Sequence, residues 1–421
     1  MKKFLANYQQ VVGRLNIVVF MLLVMSLAFP WHFTQPLFTI WLIAWFIEGR
    51  WACKKNWRFG KSTIPVLILF GFVVWEALSL FWTQDLSAGK NELARHAPIF
   101  ALLLFTLFGG NEQYKAYRIK AALMVGSLMA VISYGVVIYW FAHMDKLQGF
   151  DNYSPWTIFG EGPIQYIKHR LYLCLVLLLA VCYSGDVYRY LLTRYSKPFS
   201  IAMITIADAI LLTAILLTGS RSTAIILPIL GLVYLIQKIH GKFRWIVIAG
   251  FVAILVAGSI LAPKYNWRFQ IMRDDIKNVL THQVEITGVN EPRLYLWSIV
   301  FRHADEYGVV GMGAGSSDEF MLKCYEEDHY HATYDTHNNY LYAWMDYGYI
   351  GLIYLLLTVV ILPFFHTGRA RKDTAVACAF FGWSMLTENL LTMMSGLYII
   401  YVLIVLIQTE QQEDSQLPAC P

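Results

Sequence analysis

Charge is what this chain is short of. Only 14% of its 421 residues are Asp, Glu, Lys or Arg, against about 25% in ordinary soluble domains. Those few charges sit in short clusters between long apolar blocks, which excludes a pair of water-soluble domains. The period-2 alternation of a transmembrane β-barrel is also missing. Runs such as LLTAILLT (residues 211–218) are apolar on every face, and a barrel strand is not. Helices satisfy their own backbone polar groups in lipid, so the expected class is an all-α polytopic membrane protein. The six cysteines have no spacing that suits a zinc site or a disulfide framework. No internal repeat or low-complexity run is visible. The formal net charge of +5 does not point to nucleic acid, because the cations flank the apolar blocks.

What is present is about twelve apolar blocks between residues 17 and 407, several shorter than the ~20 residues a straight span needs. Their layout predicts transmembrane helices 1–9 over residues 1–262, a large helical loop over 263–336, helices 10–12 over 337–409, and a disordered acidic tail over 410–421. Lys and Arg alternate between loops in a way that puts both termini in the cytoplasm and the 263–336 loop outside. Ser26-Leu27-Ala28 resembles a signal-peptidase site, but Pro30 follows closely, so the first apolar block reads as an uncleaved span. Within the long loop, residues 294–304 and 317–325 read as helical. The GVVGMGAGS stretch (308–316) reads as a flexible bend, since no strand-helix-strand unit surrounds it to make a dinucleotide site.

The stretch around which the chain is organised is THNNYLYAWMDYGYIG (336–351), where the polar loop gives way to an apolar helix. His337 and Asn338 stand at this boundary and can donate, accept and take up a proton. Arg221, in the very short external hairpin TGSRST, is costly beside hydrocarbon unless it is paired or faces a polar cavity. Arg293 begins a loop helix in EPRLYLW. Two guanidiniums suit bidentate binding of a diphosphate. Arg95, Lys168, His169 and Arg170 are further external cations, equally suited to anchoring at the interface. Glu388 lies near the same outer face and could orient an arginine, whereas Glu76 and Asp208 lie within apolar blocks. The run EEDHYHATYDTH (326–337) is rich in metal-ligand types, but so unspaced a run rarely converges on one point, and no metal is expected. Tyr347 and Tyr349 read as an interfacial aromatic belt.

His337-Asn338, nine intervening residues, then Gly348 and Gly351 resemble the signature of the O-antigen ligase and polymerase superfamily. Arg221 in its Ser-Arg hairpin, Arg293 ahead of Trp297 and the glycine-rich bend, SLFWTQD (79–85) followed by Arg95, and Glu388 before the last span are similar to further features of that family. The resemblance implies a metal-independent, inverting glycosyltransferase of the bacterial inner membrane that needs no cofactor. It implies a donor glycan on undecaprenyl diphosphate and, for a ligase, an acceptor sugar on the lipid A core, joined at the periplasmic face. Arg221, Arg293 and His337 would carry the chemistry, with Asn338, Arg95, His169, Arg170 and Glu388 around the substrate and Gly348 and Gly351 shaping the motif. A polymerase of the same superfamily is the nearest alternative. A protein O-oligosaccharyltransferase and a twelve-helix secondary transporter are more distant ones.

Overall fold

The computed structural model describes residues 2–52, 60, 63–109, 113–143, 168–238, 241, 243–265, 270, 273, 292–329 and 335–416. The basic cluster at 54–58, most of 266–291 and His331 lie outside the described residues. No strand occurs among the described residues, and each of the twelve apolar blocks falls on a helix.

The chain divides into two compact units. The first joins Met1–Leu123 to Thr287–Pro421, and the second is Met124–Ile286. Five helices are long and apolar enough to cross a membrane, within Tyr8–Ser26, Ala116–Trp140, Lys197–Leu217, Asn339–Phe365 and Met394–Ser415. A sixth is reached if Arg170–Cys182 and Ser184–Leu192, bent by 42°, form one broken span. The protein is therefore an all-α polytopic membrane protein. Ile64–Ser79 and Phe243–Gly258 are apolar but shorter.

In the first unit α1 (Lys2–Ser26) and α2 (Trp31–Glu48) pair around Phe20 and Trp41, whose rings lie 5.1 Å apart. The Trp41 indole donates to the Tyr114 hydroxyl at 2.8 Å, which partners its buried N–H. Helix α3 (Ile64–Ser79) is followed by α4 (Leu86–Leu107). The sequence places residues 83–96 in an external loop, but α4 is helical from Leu86 onward. Asp85 caps it, its carboxylate accepting the Ala88 N–H at 2.9 Å, which supplies a partner for one orphan donor of the first turn.

Helix α5 (Ala116–His143) runs from the first unit into the second, which also holds α6 (Arg170–Cys182), α7 (Ser184–Leu192), α8 (Lys197–Leu217), α9 (Arg221–Lys238) and α10 (Phe243–Tyr265). The first unit resumes with α11 (Pro292–Arg302), the short α12 (Ala304–Tyr307) and α13 (Ser316–Glu327). It closes with α14 (Asn339–Ile361), α15 (Gly368–Ser384) and α16 (Met394–Gln416). The expected disordered tail is thus corrected in part. Residues 410–416 continue α16, with Glu410 buried against Lys120 and Asp414 bonded to Arg369 at 2.9 Å. Those ion pairs supply the order that the tail's composition does not announce.

Helix α14 organises the first unit. Its opening stretch, Asn339 to Gly348, is buried throughout. Leu341, Trp344 and Met345 join Leu296, Ile299 and Val300 of α11 and Met321, Cys324 and Tyr325 of α13 in one apolar core. Beyond Gly348 the helix exposes Tyr349, Ile350, Ile353, Leu356, Leu357 and Val360, an apolar face of the kind lipid covers. The part after Gly348 is long enough, at 1.5 Å per residue, to cover most of a ~30 Å hydrocarbon core. The part before it belongs to the packed loop.

The two parts meet at a break. Gly348 has φ 65° and ψ −162°, which is not helical. An unbroken helix would pair the N–H groups of Tyr349 and Ile350 with the carbonyls of Met345 and Asp346. Here the 308–313 bend takes all four. Met312 N–H donates to Met345 O and Gly313 N–H to Asp346 O, both at 2.9 Å, while Ile350 N–H donates to Val309 O at 3.2 Å and Tyr349 N–H to Gly308 O at 3.4 Å. Irregular backbone at membrane depth survives only where protein satisfies it, and this bend does so. Asp346 reinforces the join, its carboxylate accepting the Gly315 and Ser317 N–H groups at 3.0 and 2.8 Å at the start of α13. The bend expected to be flexible is a packed clasp on α14.

Candidate functional site

The residues around His337 are set by the start of α14. Asn338 caps the helix, its side-chain oxygen accepting the N–H groups of Tyr340 and Leu341 at 3.0 and 3.2 Å. His337 precedes the cap in a left-handed conformation, φ 45°, shared among the described non-glycine residues only by His329. Such a backbone costs about 1–3 kcal/mol in a residue other than glycine. It is held by Asp335, whose carboxylate accepts the His337 N–H at 2.9 Å in a local turn. The ring is thereby turned toward the segment joining α15 to α16.

There Glu388 receives it. Its Oε2 lies 2.7 Å from His337 Nδ1, and Asp335 Oδ1 lies 3.4 Å from the same nitrogen. Arg293, at the head of α11, places a guanidinium nitrogen 4.0 Å from Glu388 Oε1, a Coulombic approach rather than a hydrogen bond. The Glu388 hydrogen bond holds the imidazole pKa above its ordinary value; burial opposes this, the two carboxylate charges add to it, and Arg293 works against it. Donation from Nδ1 to a carboxylate leaves the lone pair of the neutral ring on Nε2, the tautomer of a general base. Trp297 fixes the neighbourhood by donating its indole N–H to Thr336 O at 3.1 Å.

Arg95 is exposed on α4, and its charge reaches Asp318. Burial pushes the Asp318 carboxyl pKa up, Asp335 adds to the shift, and Arg95 counters it. The first unit therefore collects Arg293, His337, Asn338 and Glu388 at one end of α14, with Arg95 linked through Asp318 and Asp335. Gly348 and Gly351 lie farther along α14. A Cβ on Gly351 would meet the Cβ of Tyr347, so both glycines accommodate the break rather than the imidazole. Tyr347 is no interfacial anchor. It is buried against Phe72, with centroids 5.2 Å apart, because the kink turns it inward. Tyr349 is 46% exposed.

Arg221, His169 and Arg170 belong to the second unit. Arg221 is the first residue of α9, after a tight turn in which Gly219 takes φ 60° and Ser220 Oγ lies 3.0 Å from Thr223 Oγ1. That turn joins the head of α6, since Thr218 Oγ1 lies 2.9 Å from Cys174 Sγ and the Arg170 charge reaches the same thiol. His169 is the N-cap residue of α6, its ring 5.7 Å from Tyr172. Lys168, just ahead, is buried, and burial lowers its ammonium pKa to about 7. Two cations of the sequence reading and the Arg221 turn thus share one end of the second unit.

The described carboxylates of the metal-ligand run at 328 and 335 turn to different partners. Asp328 turns to Arg302 and Tyr295, at 2.5 and 2.9 Å, while Asp335 turns to His337. Sequence reasoning missed Asp335 as the residue that sets the His337 backbone. Its signal, an Asp two residues before an N–H in need of an acceptor, is common to many turns.

Fold and site together define a helical membrane protein that presents an imidazole, supported by carboxylates, beside an arginine at the head of a span. Residues 206–356 match the family described as O-antigen ligase. Members of that family are glycosyltransferase-like enzymes. The matched segment includes Arg221, Arg293, His337, Gly348 and Gly351, and Glu388 lies beyond it. Comparison with curated proteins finds no match.

Proposed function

We propose that this protein is an O-antigen ligase of the inner membrane, moving a glycan from undecaprenyl diphosphate to a sugar of the lipid A core at the periplasmic face. The observation that carries the reading is the Glu388–His337 pair beside Arg293, in a chain whose residues 206–356 match the O-antigen ligase family. The acceptor hydroxyl gives its proton to His337 Nε2 as its oxygen forms the new bond to the sugar C1. The C1–O bond to the diphosphate breaks on the opposite face, so the anomeric configuration inverts and the diphosphate leaves with the electron pair. Arg293 neutralises the charge growing on the leaving group, and the family resemblance gives Arg221 the same role. Asn338, Arg95 and Glu388 bind substrate beside His337, and the family resemblance adds His169 and Arg170 as further substrate contacts. Diphosphate is already a good leaving group, so the reaction needs a base and positive charge but no metal or cofactor.

The test is a purified-protein assay with the lipid-linked glycan and lipid A-core, without nucleotide and with EDTA. Transfer is expected, falling by about a hundredfold or more in His337→Ala and in Arg293→Ala, the scale for loss of a general base or of a charge-stabilising donor. Undiminished activity in both variants would remove the assigned site. Elongation of the lipid-linked glycan without transfer to core would identify the polymerase of the same superfamily instead.

A further inference from the structure

The 385–391 turn that carries Glu388 is held from both sides by buried side chains. Toward His337, the Asn339 N–H donates to Met385 O and the Leu391 N–H donates to Asn339 Oδ1, each at 2.8 Å; Thr336 Oγ1 reaches Asn389 Oδ1 at 3.4 Å. From behind, His96 Nε2 lies 2.8 Å from Leu391 O, and His96 Nδ1 lies 2.7 Å from Glu76 Oε2. A carbonyl only accepts, so Nε2 must be the donor to Leu391, and Glu76 holds the ring in that orientation through its other nitrogen. Both residues are essentially inaccessible, Glu76 at 0% and His96 at 2% exposure. Burying an acid and an imidazole among apolar helices is costly unless they are paired and hydrogen-bonded. Both backbone groups of Leu391, three residues from Glu388, are therefore clamped by buried side chains. The histidine is contributed by α4, nearly three hundred residues away in sequence.

We propose that the Glu76–His96 pair is a positioning device: it fixes the 385–391 turn through the Leu391 carbonyl and thereby sets Glu388 against His337. Neither residue touches substrate. The inference rests on the ligase reading for its readout but not for its geometry. His337 is faced by Asp335 from its own segment, Glu388 from the turn and Arg293 from α11; His96 is faced by Glu76 of α3 and by Glu92 of α4, which Tyr342 of α14 bonds at 3.2 Å. Loosening the turn weakens the Glu388 contact and leaves the other groups around His337 in place.

The experiment uses the full-length protein in lipid nanodiscs, assayed across pH with undecaprenyl diphosphate-linked glycan and lipid A-core. The variants are His96→Gln, His96→Asn, Asn339→Ala, Glu388→Gln and His337→Ala. Gln keeps an N–H at the reach of Nε2, and His96→Gln is expected to stay within about threefold of the parent, whereas His96→Asn reaches Glu76 but not Leu391 and is expected to lose about 10- to 100-fold in kcat, as when a supporting partner of a reacting group is removed. In His96→Asn the rising limb of the pH profile moves to lower pH, the direction expected for Glu388→Gln, and combining the two moves it no further. An unmoved limb with a parent-like rate, or equal losses in His96→Gln and His96→Asn with the limb unmoved, would overturn the proposal and leave the pair as packing. If His96→Asn does not accumulate as monodisperse protein, Asn339→Ala decides: it releases the other side of Leu391 and must shift the limb the same way, and an unshifted limb overturns the proposal. Parent-like activity in His337→Ala would instead sink the ligase mechanism, whatever the His96 variants do.

Discussion

Gly348→Ala is the substitution on which the geometry of α14 speaks most directly. At φ 65° and ψ −162° the backbone occupies a region open almost only to glycine, so any side chain costs about 1–3 kcal/mol in strain. The new Cβ would fall inside the Val309 carbonyl and 2.5 Å from Gly311 N, and these are backbone atoms that cannot rotate away. Overpacking of this kind adds about 1–3 kcal/mol, and relieving it by separation would sacrifice clasp hydrogen bonds worth about 0.5–1.5 kcal/mol each. The combined loss is about 3–5 kcal/mol. At roughly 2–4 °C per kcal/mol for a unit of about 260 residues, the thermal midpoint should fall on the order of 10 °C. Thermal unfolding in detergent, followed by tryptophan fluorescence, measures this. Gly311→Ala meets Gly348 from the other side and should cost a similar amount, with the double variant well short of additive because both disrupt one contact. Gly135, inside α5 with nothing within 4 Å of an added Cβ, is the control and on becoming Ala should leave stability unchanged or raise it by up to about 1 kcal/mol. A midpoint for Gly348→Ala within about 2 °C of the parent would refute the clasp.

Two further outcomes follow from the charged groups. Glu388 holds the His337 pKa above its ordinary value, so the stabilisation from that ion pair is fully present below the ordinary imidazole pKa and is lost as pH rises through the raised one. Glu388→Gln should therefore be least stable relative to the parent at mildly acidic pH, the gap closing toward alkaline pH, while the rising limb of its activity moves to lower pH. A gap that widens with pH would contradict the pairing. Lys120, 1% exposed, bridges Asp373 and Glu410 at 2.6 and 2.5 Å. Lys120→Met leaves two buried carboxylates side by side and should cost about 3–5 kcal/mol, part of it recovered in acid as they protonate. A thermal midpoint equal to the parent's would show the triad to be dispensable.

The segregation of apolar blocks from charged clusters was enough to predict an all-α membrane protein, because hydropathy is a one-dimensional property that each helix carries alone. Capping and left-handed backbone are local demands too, yet Asn338 read as a substrate contact rather than a cap and Gly348 only as part of the family motif. His337, Arg293 and Glu388 were legible as residue types suited to diphosphate chemistry. Their contact was not, because Glu388 lies 51 positions from His337 and no periodicity links a loop residue to a turn beyond the next two helices.

What only the tertiary structure decided has a common cause: the partner is distant in the chain. Glu76 reads in the sequence as a carboxylate inside an apolar block, and α4 brings His96 to it. Asp346 reads as a charge at the start of a span, and α13 brings two N–H groups to its carboxylate. The glycine-rich bend reads as slack, and the break in α14 supplies the four backbone groups that make it a clasp. Composition determines that a chain like this must enter lipid. Which of its buried polar groups are tolerated there depends on partners that only folding brings within 3 Å.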